Sequence, residues 1–411
     1  MGDRLYNLPF LLRPRIDAPM EEPNVGELKP PERVLLGPGP SNVHPRVLGA
    51  MNTSIVGHLD PYFVDIMDEV QDLLRYVFRT DNEWTLPVSG TGSASMEAGI
   101  SNLVEPGDTV LVPSNGYFGA RMESMAQRAG GETVRVDAPW GEPLDAVDVQ
   151  EAFNEHQPDI FGFVQAETST GTLQPDVSEL VDIAHSHDAL TIVDTVTSLG
   201  GVELHVDDWG IDVSYSAAQK CISCPPGASP LTLNDDAMDK ILSRETEPRC
   251  WYLDLAELED YWGDNRSYHH TAPVTNIFGL REALRIVAEE GIEERWNRHL
   301  RVSGALKSGI EAMGLEMNSR DDAWLPTLNA VRVPDGVDDD SILSRLVEEY
   351  NIEISAGLGD LEGEILRIGC MGHSARAQNV LYLVDALGEI LDDEGVDVSP
   401  GDAVAATSDA L

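Results

Sequence analysis

Short apolar runs alternate with amphipathic stretches along the middle of the chain, from residue 84 onward. The runs are rich in β-branched and other apolar residues and predict strands over 84–88, 109–113, 132–136, 160–166, 190–194 and 213–216. Helical spacing lies between them, for example over 93–103, 119–129 and 176–187. Strands separated by helices imply right-handed crossovers. The pattern therefore predicts an α/β domain with a mostly parallel sheet sandwiched by helices.

The pattern changes after residue 290 and predicts a smaller C-terminal α+β domain. Long helical stretches cover 277–290 and 292–313, and shorter strands and helices follow up to residue 391. Residues 1–33 are rich in proline and lack periodicity, so we expect an arm there that wraps another surface. Residues 392–411 combine acidic with small residues and predict a flexible tail. The expected division is therefore arm 1–33, large domain 34–290, small domain 291–391 and tail 392–411.

The charge balance restricts the partners. The chain has 27 basic and 72 acidic residues, a formal net charge of −45, and only four of its basic residues are lysines. A field of that sign repels nucleic acid and anionic lipid, so neither is an expected partner. This composition resembles proteins of salt-accumulating halophiles, and we expect loss of fold or activity in low salt because salt screens the repulsion.

The apolar runs and the cysteines restrict the location and the type of site. No apolar run reaches about 18 residues, and the first residues lack a secretory signal, so we expect a cytoplasmic protein without membrane contact.

Four cysteines are too few for a disulfide scaffold. Cys221-x-x-Cys224 has no second pair at zinc spacing, and adjacent His269 and His270 on extended chain should point to opposite faces. We therefore predict no metal site.

Candidate chemistry follows the strand ends, where ligands of parallel sheets bind. Ser89-Gly90-Thr91-Gly92-Ser93 opens a helix, whose free N–H groups can hold a phosphate, although the same residues also cap ordinary helices. Phe118, with Tyr117 beside it, lies between glycines and either stacks on a ring or fills the core. Glu167-Thr168-Ser169-Thr170-Gly171 offers hydroxyls to a ligand or simply forms a turn.

Asp194 and Lys220 end the series. Asp194 follows a buried apolar strand, where a carboxylate is costly without a cationic partner such as a protonated pyridine nitrogen. Lys220 stands among small and apolar residues in a chain that otherwise uses arginine. Only lysine can lose its proton when desolvated and attack a carbonyl, so Lys220 is the candidate Schiff-base lysine. Taken alone, a lysine in this setting more often caps a helix or lies at the edge of the core. The phosphate-binding turn, the ring stacker, the buried aspartate and this lysine together describe a pyridoxal phosphate site.

The same segments resemble the class V, fold-type-I aminotransferases, and most closely the alanine–glyoxylate and serine–pyruvate aminotransferase family. The similar segments span about residues 35–385 and include Leu36-Gly37-Pro38-Gly39-Pro40, Ser89-Gly90-Thr91-Gly92-Ser93, Asn115-Gly116-Tyr117-Phe118-Gly119, Val193-Asp194-Thr195, Gln219-Lys220, Tyr268-His269-His270-Thr271 and Leu366-Arg367-Ile368-Gly369.

The resemblance implies a role for each position. Lys220 would bind pyridoxal 5'-phosphate covalently, and Asp194 would face the ring nitrogen. The phosphate would be held by Thr91, Gly92, Ser93 and Gln219, with Ser169 near the ring and Phe118 stacked on it. Tyr268 and Thr271 would reach the phosphate in a neighbouring subunit, which implies a homodimer. Arg367 would hold the substrate carboxylate and Gly39 would line the substrate pocket.

Two positions depart from the animal members, which have tryptophan in place of Phe118 and histidine in place of Ser93. The implied reaction is a ping-pong transfer of an amino group from alanine or serine to glyoxylate or pyruvate. Three different functions remain open. They are a lyase of the cysteine desulfurase or kynureninase type, a transaminase for aspartate or 2-aminoethylphosphonate, and a catalytically silent regulator that binds pyridoxal phosphate or a phosphate ligand.

Overall fold

The computed structural model describes residues 23–411. Residues 23–32 carry no helix or strand, and residues 33–411 form one compact unit. Much of the expected N-terminal arm, residues 1–22, lies outside the described residues.

Fourteen strands are found in the described residues. They are β1 Val34–Leu35, β2 Trp84–Val88, β3 Thr109–Ser114, β4 Glu132–Asp137, β5 Ile160–Val164, β6 Ala166–Glu167, β7 Thr172–Leu173, β8 Leu190–Asp194, β9 Val213–Tyr215, β10 Ser229–Leu233, β11 Leu328–Arg332, β12 Ile352–Glu353, β13 Ser355–Ala356 and β14 Ile365–Gly369.

Thirteen α-helices accompany them in the same residues. They are α1 Pro45–Met51, α2 Pro61–Phe78, α3 Gly92–Leu103, α4 Tyr117–Ala129, α5 Ala146–His156, α6 Val177–Ser186, α7 Asp235–Leu242, α8 Leu255–Trp262, α9 Val274–Glu290, α10 Ile292–Ala312, α11 Asp339–Tyr350, α12 Ala377–Asp393 and α13 Pro400–Ala410.

Seven strands form the main sheet, in the order β2-β10-β9-β8-β5-β3-β4. All neighbours are parallel except β10, which runs antiparallel to both β2 and β9. The central strands β5 and β8 are almost wholly buried, as expected for a parallel sheet covered on both faces. The predicted α/β class with a mostly parallel sheet is confirmed.

A second, antiparallel sheet of three strands, β11-β14-β13, lies in the C-terminal part of the chain. Its hydrophobic cluster contains Leu366 and Ile368 of β14 together with residues of α10 and α12. Leu36 belongs to this cluster and β1 pairs with β12, so residues 34–36 pack with the C-terminal elements and not with the main sheet. The division at residue 290 into a large and a small domain stays a prediction.

The C-terminal residues differ from the expected flexible tail. Residues 400–410 form helix α13, which begins with Pro400 at its first turn and buries Ala403 and Thr407. Gly309 of α10 permits this packing, because a Cβ there would lie 2.1 Å from Thr407 Oγ1. The prediction of a tail over 392–411 is therefore wrong for 400–410. Small residues such as Ala and Gly weaken a hydrophobic pattern, yet they allow helices to approach closely.

Candidate active site

The candidate residues gather at the carboxyl edge of the main sheet. Strands β2, β3, β5, β8 and β9 point the same way, so the segments that follow them meet at one edge. These segments contain the glycine-rich turn before α3, Phe118 in the first turn of α4, Ser169, Asp194 and Lys220.

Lys220 lies in the turn that follows β9, with its side chain partly buried and its amine hydrogen-bonded to the carbonyl oxygen of Pro38. Gly39 makes room for this side chain, since a Cβ at Gly39 would lie 2.6 Å from Lys220 Cδ. Gly39 also has a φ of +115°, which other residues rarely adopt. Burial lowers the pKa of Lys220 to about 8, so much more of its amine is neutral near physiological pH than for an exposed lysine.

Asp194 ends β8 with both carboxylate oxygens hydrogen-bonded. Oδ1 accepts from the Val196 amide at 2.8 Å, and Oδ2 accepts from the Tyr215 hydroxyl at 3.0 Å. Burial raises the pKa of Asp194 to about 7, and these hydrogen bonds only partly oppose it. No ion pair involves Asp194 in residues 23–411. A cationic ring nitrogen would supply the partner that the described protein residues do not, so the site fits the predicted cofactor.

Glu167 was not singled out from the sequence, yet it organises this edge. Its Oε2 accepts from the amides of Phe118 at 3.0 Å and Gly119 at 3.3 Å. Its Oε1 accepts from the Ser169 amide at 3.0 Å and hydroxyl at 2.6 Å. Burial raises the pKa of Glu167, opposed by these bonds. Its signal was available, since Glu167, like Asp194, is a carboxylate after a buried apolar strand.

The Phe118 ring is covered on one side by an arginine of the same helix. The Arg121 guanidinium lies 4.9 Å from the Phe118 ring centroid and 5.2 Å from that of Tyr117. Arg121 Nη1 also lies 3.4 Å from Ser93 Oγ. Arg121 therefore joins the predicted ring stacker to the predicted phosphate-binding turn. The sequence signal was its place three residues after Phe118, one helical turn away.

The start of α3 offers free donors. Thr91 is the N-cap residue, but its side chain makes no capping hydrogen bond. In the described residues the amides of Gly92 and Ser93 also donate to no acceptor. A Cβ at Gly92 would lie 2.7 Å from the Cβ of Ala217, so glycine lets this helix start approach the segment that carries Lys220. Gln219, next to Lys220, has a buried side-chain oxygen without a partner in residues 23–411. The free amides and the Thr91 hydroxyl are donors that fit a phosphate, and Gln219 would contribute through its side-chain NH2, because its oxygen only accepts.

Arg367 lies on β14, outside the main sheet. Its Nε donates to the Ala356 carbonyl at 2.6 Å, and the side chain is buried. Burial lowers the pKa of Arg367 to about 10, and its charge helps to lower the pKa of Lys220. The arginine is therefore close enough to the amine to influence it, as a residue that binds a substrate carboxylate must be.

Tyr268 and Thr271 do not join this cluster within the chain. Both are exposed, Tyr268 by 62% of its surface. The histidines between them differ from expectation, since their rings do not point to opposite faces. His269 Nδ1 lies 2.8 Å from His270 Nδ1, and His270 Nε2 lies 2.6 Å from Ser89 Oγ in the predicted phosphate-binding turn. The bent backbone of this loop does not follow the alternation of a strand.

Three comparisons place the chain among known proteins. The family described as aminotransferase class-V matches residues 35–366. The chain is 38% identical to (S)-ureidoglycine–glyoxylate transaminase of Bacillus subtilis over 93% of this chain and 96% of that one. It is 40% identical to alanine–glyoxylate aminotransferase of Mus musculus over 89% of both chains. The crystal structure of an alanine–glyoxylate aminotransferase from Nostoc sp. superposes with a TM-score of 0.87 at 48% identity, covering 89% of this chain and 97% of that one.

Proposed function

Because the chain belongs to the class-V aminotransferase family, we propose that it is a pyridoxal 5'-phosphate-dependent transaminase for small amino acids and 2-oxo acids. The observation that carries the proposal is Lys220, a partly buried amine with a lowered pKa at the same sheet edge as the buried carboxylate Asp194. A lysine with only a structural role has no reason to be withdrawn from solvent without a carboxylate partner. It also has no reason to lie against a glycine that makes room for its side chain.

The residues that would hold the cofactor divide by chemistry. The free amides of Gly92 and Ser93, the hydroxyls of Thr91 and Ser93 and the side chain of Gln219 would hold its phosphate. Phe118 would stack on the ring and Asp194 would face the ring nitrogen, while Lys220 would form the covalent attachment. When bound, the cofactor supplies an electron sink for the charge that develops at the substrate α-carbon.

The protein's own groups would move the proton. The Lys220 amine would accept the α-proton at Nζ, because its lowered pKa of about 8 leaves a useful fraction of it neutral near physiological pH. Asp194 would keep its charge against the ring nitrogen. Glu167 would hold Phe118, Gly119 and Ser169 in place through four hydrogen bonds and would transfer no proton.

We propose glyoxylate as the preferred acceptor, with pyruvate next, and alanine or serine as the donor. Glyoxylate is the substrate common to the named relatives from Bacillus subtilis, Mus musculus and Nostoc sp.. Arg367 would bind the carboxylate of donor and acceptor alike with its planar guanidinium. (S)-Ureidoglycine is a second candidate donor, favoured by the 96% coverage of the Bacillus relative.

A lyase and a silent regulator have less support. A desulfurase needs a reactive thiol, but Cys370 is fully buried and burial raises its pKa to about 12, so its thiolate is not available. A silent regulator does not require Lys220, Asp194 and Arg367 together. A transaminase for aspartate or 2-aminoethylphosphonate stays open, and a screen of amino donors decides it.

The proposal is tested by half-reactions of the purified holoenzyme. Single amino donors are added without acceptor, and the visible absorbance of the cofactor is followed as it passes to its amine form. We expect alanine or serine to convert the cofactor at millimolar concentration, and glyoxylate to reverse the change. Conversion by aspartate or 2-aminoethylphosphonate alone would change the substrate class. Release of sulfide from cysteine would support the lyase, and the absence of any absorbance band would support the regulator.

We also propose a homodimer with shared active sites, supported by the exposure of Tyr268 and Thr271. If each site takes Tyr268 from the neighbouring subunit, a Lys220→Ala protomer and a Tyr268→Ala protomer would form one intact site in a mixed dimer. Mixing the two inactive variants should then restore activity. If Tyr268 acts within its own chain, each site of the mixed dimer carries the defects of one parent and the mixture should stay as inactive as the parents.

A further inference from the structure

A cavity of about 520 Å³ lies behind the turn that carries Lys220, between α1, α9, α10 and the segment after β14. Arginines and histidines form much of its lining, namely Arg295, Arg298, Arg301, Arg376, His44 and His373. None of the residues proposed to hold cofactor or substrate lines it. The cavity is therefore separate from the candidate active site.

The arginine cluster is unusual for this chain. Arg295, Arg298 and Arg301 follow one another at intervals of three on α10, so they lie along one side of the helix. Like charges at this spacing repel each other. The chain has 72 acidic and 27 basic residues, so carboxylates that could pair with these arginines are abundant elsewhere. Only one acidic side chain, that of Glu290, is among the described residues that line the cavity.

Arg295 and Arg298, the two less exposed arginines of the lining, already have partners. Arg295 and Arg298 share Glu290 at 2.6 and 2.5 Å. Arg295 also donates to the carbonyls of Gly200 and Cys221, and Arg298 donates to carbonyls of the segment after β14. This pair holds α10 against the turn after Lys220 and against the segment after β14. The two arginines thus stabilise the fold, and together with Glu290 they have a net charge of +1.

Arg301 and Arg376, the two exposed arginines of the lining, have no carboxylate partner among the described residues. Within residues 23–411, neither Arg301 nor Arg376 forms an ion pair, and Arg376 donates only to the His373 ring at 2.7 Å. Burial lowers the pKa of His373 to about 4 and also lowers that of His44, so both rings are neutral near pH 7. Four arginines line the cavity together with two carboxylates, those of Glu290 and of the chain-terminal Leu411, so the lining has a charge of about +2 inside a protein of charge −45.

We propose that this cavity binds a small oxyanion with two or more negative charges, either a phosphate or a dicarboxylate. Arg301 and Arg376 would bind it with charge-assisted hydrogen bonds, and the neutral imidazole of His44 would offer a further polar contact. The volume suits a small metabolite and exceeds what one chloride needs. Ile222 and Ser223, which follow Lys220 closely, form part of the wall, so the ligand would contact the turn that carries the amine.

The test is calorimetric titration of the holoenzyme with inorganic phosphate and, separately, with succinate, at constant ionic strength made up with chloride. The bound cofactor occupies the phosphate-binding turn, so phosphate cannot bind there. The same titrations use Arg301→Gln/Arg376→Gln and, as a matched control, Arg128→Gln, which removes an exposed arginine at the end of α4.

We expect saturable binding of at least one probe to the parent protein, and the probe that binds identifies the ligand as a phosphate or a dicarboxylate. The double variant should bind at least about tenfold more weakly, as expected for the loss of charged hydrogen bonds, and Arg128→Gln should bind like the parent. The single variants change only exposed side chains and replace the double variant if it melts early.

Three results would overturn the proposal. They are no saturable binding of either probe, equal binding by the double variant, and an equal loss in Arg128→Gln, which would indicate a general charge effect. Succinate bound at Arg367 would survive in the double variant and is thereby recognised. None of these results depends on transaminase activity, so the anion site and the proposed function can fail independently.

Discussion

The amine of Lys220 is the group on which the proposed chemistry depends. Replacing Lys220 by arginine keeps a positive charge, but a guanidinium cannot give up its proton to attack a carbonyl or accept one from carbon. We expect Lys220→Arg to reduce turnover by roughly 10²–10⁴-fold or more, because proton transfer alone contributes that much. Steady-state rates with alanine and glyoxylate measure the loss.

Lys240 provides the control for this substitution. It pairs at 3.0 Å with Asp108, which directly precedes β3 and so lies at the opposite edge of the sheet from the candidate site. Arginine can keep that ion pair, and Lys240→Arg should therefore retain the parent rate. Comparable activity in Lys220→Arg and Lys240→Arg would contradict the assignment of the amine.

The raised pKa of Asp194 predicts that this carboxyl group makes the protein less stable as pH rises, the opposite of what most carboxylates do. Its pKa is raised to about 7 in the folded protein without cofactor, against about 3.9 in an unfolded chain. Between these values the folded state holds the extra proton, so this group makes the protein less stable as pH rises. Relative to Asp194→Asn, the cofactor-free protein should lose about 2–3 kcal/mol between pH 5 and 7, at about 1.4 kcal/mol per pH unit.

Urea unfolding of the two cofactor-free proteins at each pH measures this difference. Bound cofactor with a cationic ring nitrogen should remove the decline, because the carboxylate then stays ionised. A difference between the two proteins that does not change with pH would show that Asp194 is already ionised without a partner.

Sequence reasoning found the residues whose chemical type is unusual for their place, such as Lys220 and Asp194. It missed Glu167, which acts by accepting backbone N–H groups from another segment, a contact visible only once β3 and β5 are adjacent. Arg121 was missed because its residue type carries no signal in a chain with 23 arginines, and only its place one helical turn after Phe118 could have indicated it.

Among the elements, strands with strong apolar runs were predicted closely and the antiparallel strand β10 was missed. Predicted strands 84–88 and 190–194 agree with β2 and β8. The missed strand has Pro230 within it, and proline is usually evidence against a strand between two others. Its place between β2 and β9 depends on the whole sheet and not on its local pattern.

Helix α13 leads to a prediction about two glycines of α10. A Cβ at Gly309 would overlap Thr407 of α13, whereas a Cβ at Gly304 would meet no atom within 4 Å. Gly309→Ala should therefore lower the free energy of unfolding by about 1–3 kcal/mol through overpacking. Gly304→Ala should raise it by up to about 1 kcal/mol, since alanine favours the helix.

The two variants can be compared by urea unfolding in the same buffer. Because they share a helix and a chemical change, the difference between them reports the contacts of the new methyl group at residue 309, which are Thr407 of α13 at 2.1 Å and Val384 of α12 at 3.1 Å. If residues 400–410 formed the tail that their composition predicted, only the contact with Val384 would remain and the difference between the two variants would be small.

The charge of −45 acts on the whole molecule. Most ion pairs of the described residues have at least one solvent-exposed partner, and such pairs contribute little individually to the free energy of unfolding. We expect the protein to lose activity and helical signal when dialysed from about 2 M to below about 0.1 M potassium chloride, because screening weakens as the Debye length grows. Circular dichroism and turnover measured together follow the change.

Sucrose in the dilute buffer serves as a control, since it favours compact states without screening charge. Full activity in dilute buffer without additives would contradict the expected salt requirement.

No helix of the described residues has the length and apolar character to cross a membrane.

The composition that predicts salt dependence does not determine the fold, because net charge acts on solubility and association more than on architecture. The family, the sheet and the active site are thus independent of whether the salt prediction holds.

Chemical trapping of the cofactor shows directly which residue carries it. Borohydride reduction of the holoenzyme, followed by proteolysis and mass mapping, makes any bond between the cofactor aldehyde and an amine permanent. We predict a single modified peptide with the phosphopyridoxyl mass on Lys220, and no label on Lys240 or Lys307. A label on another residue, or none on a protein that shows cofactor absorbance, would contradict the assignment of Lys220.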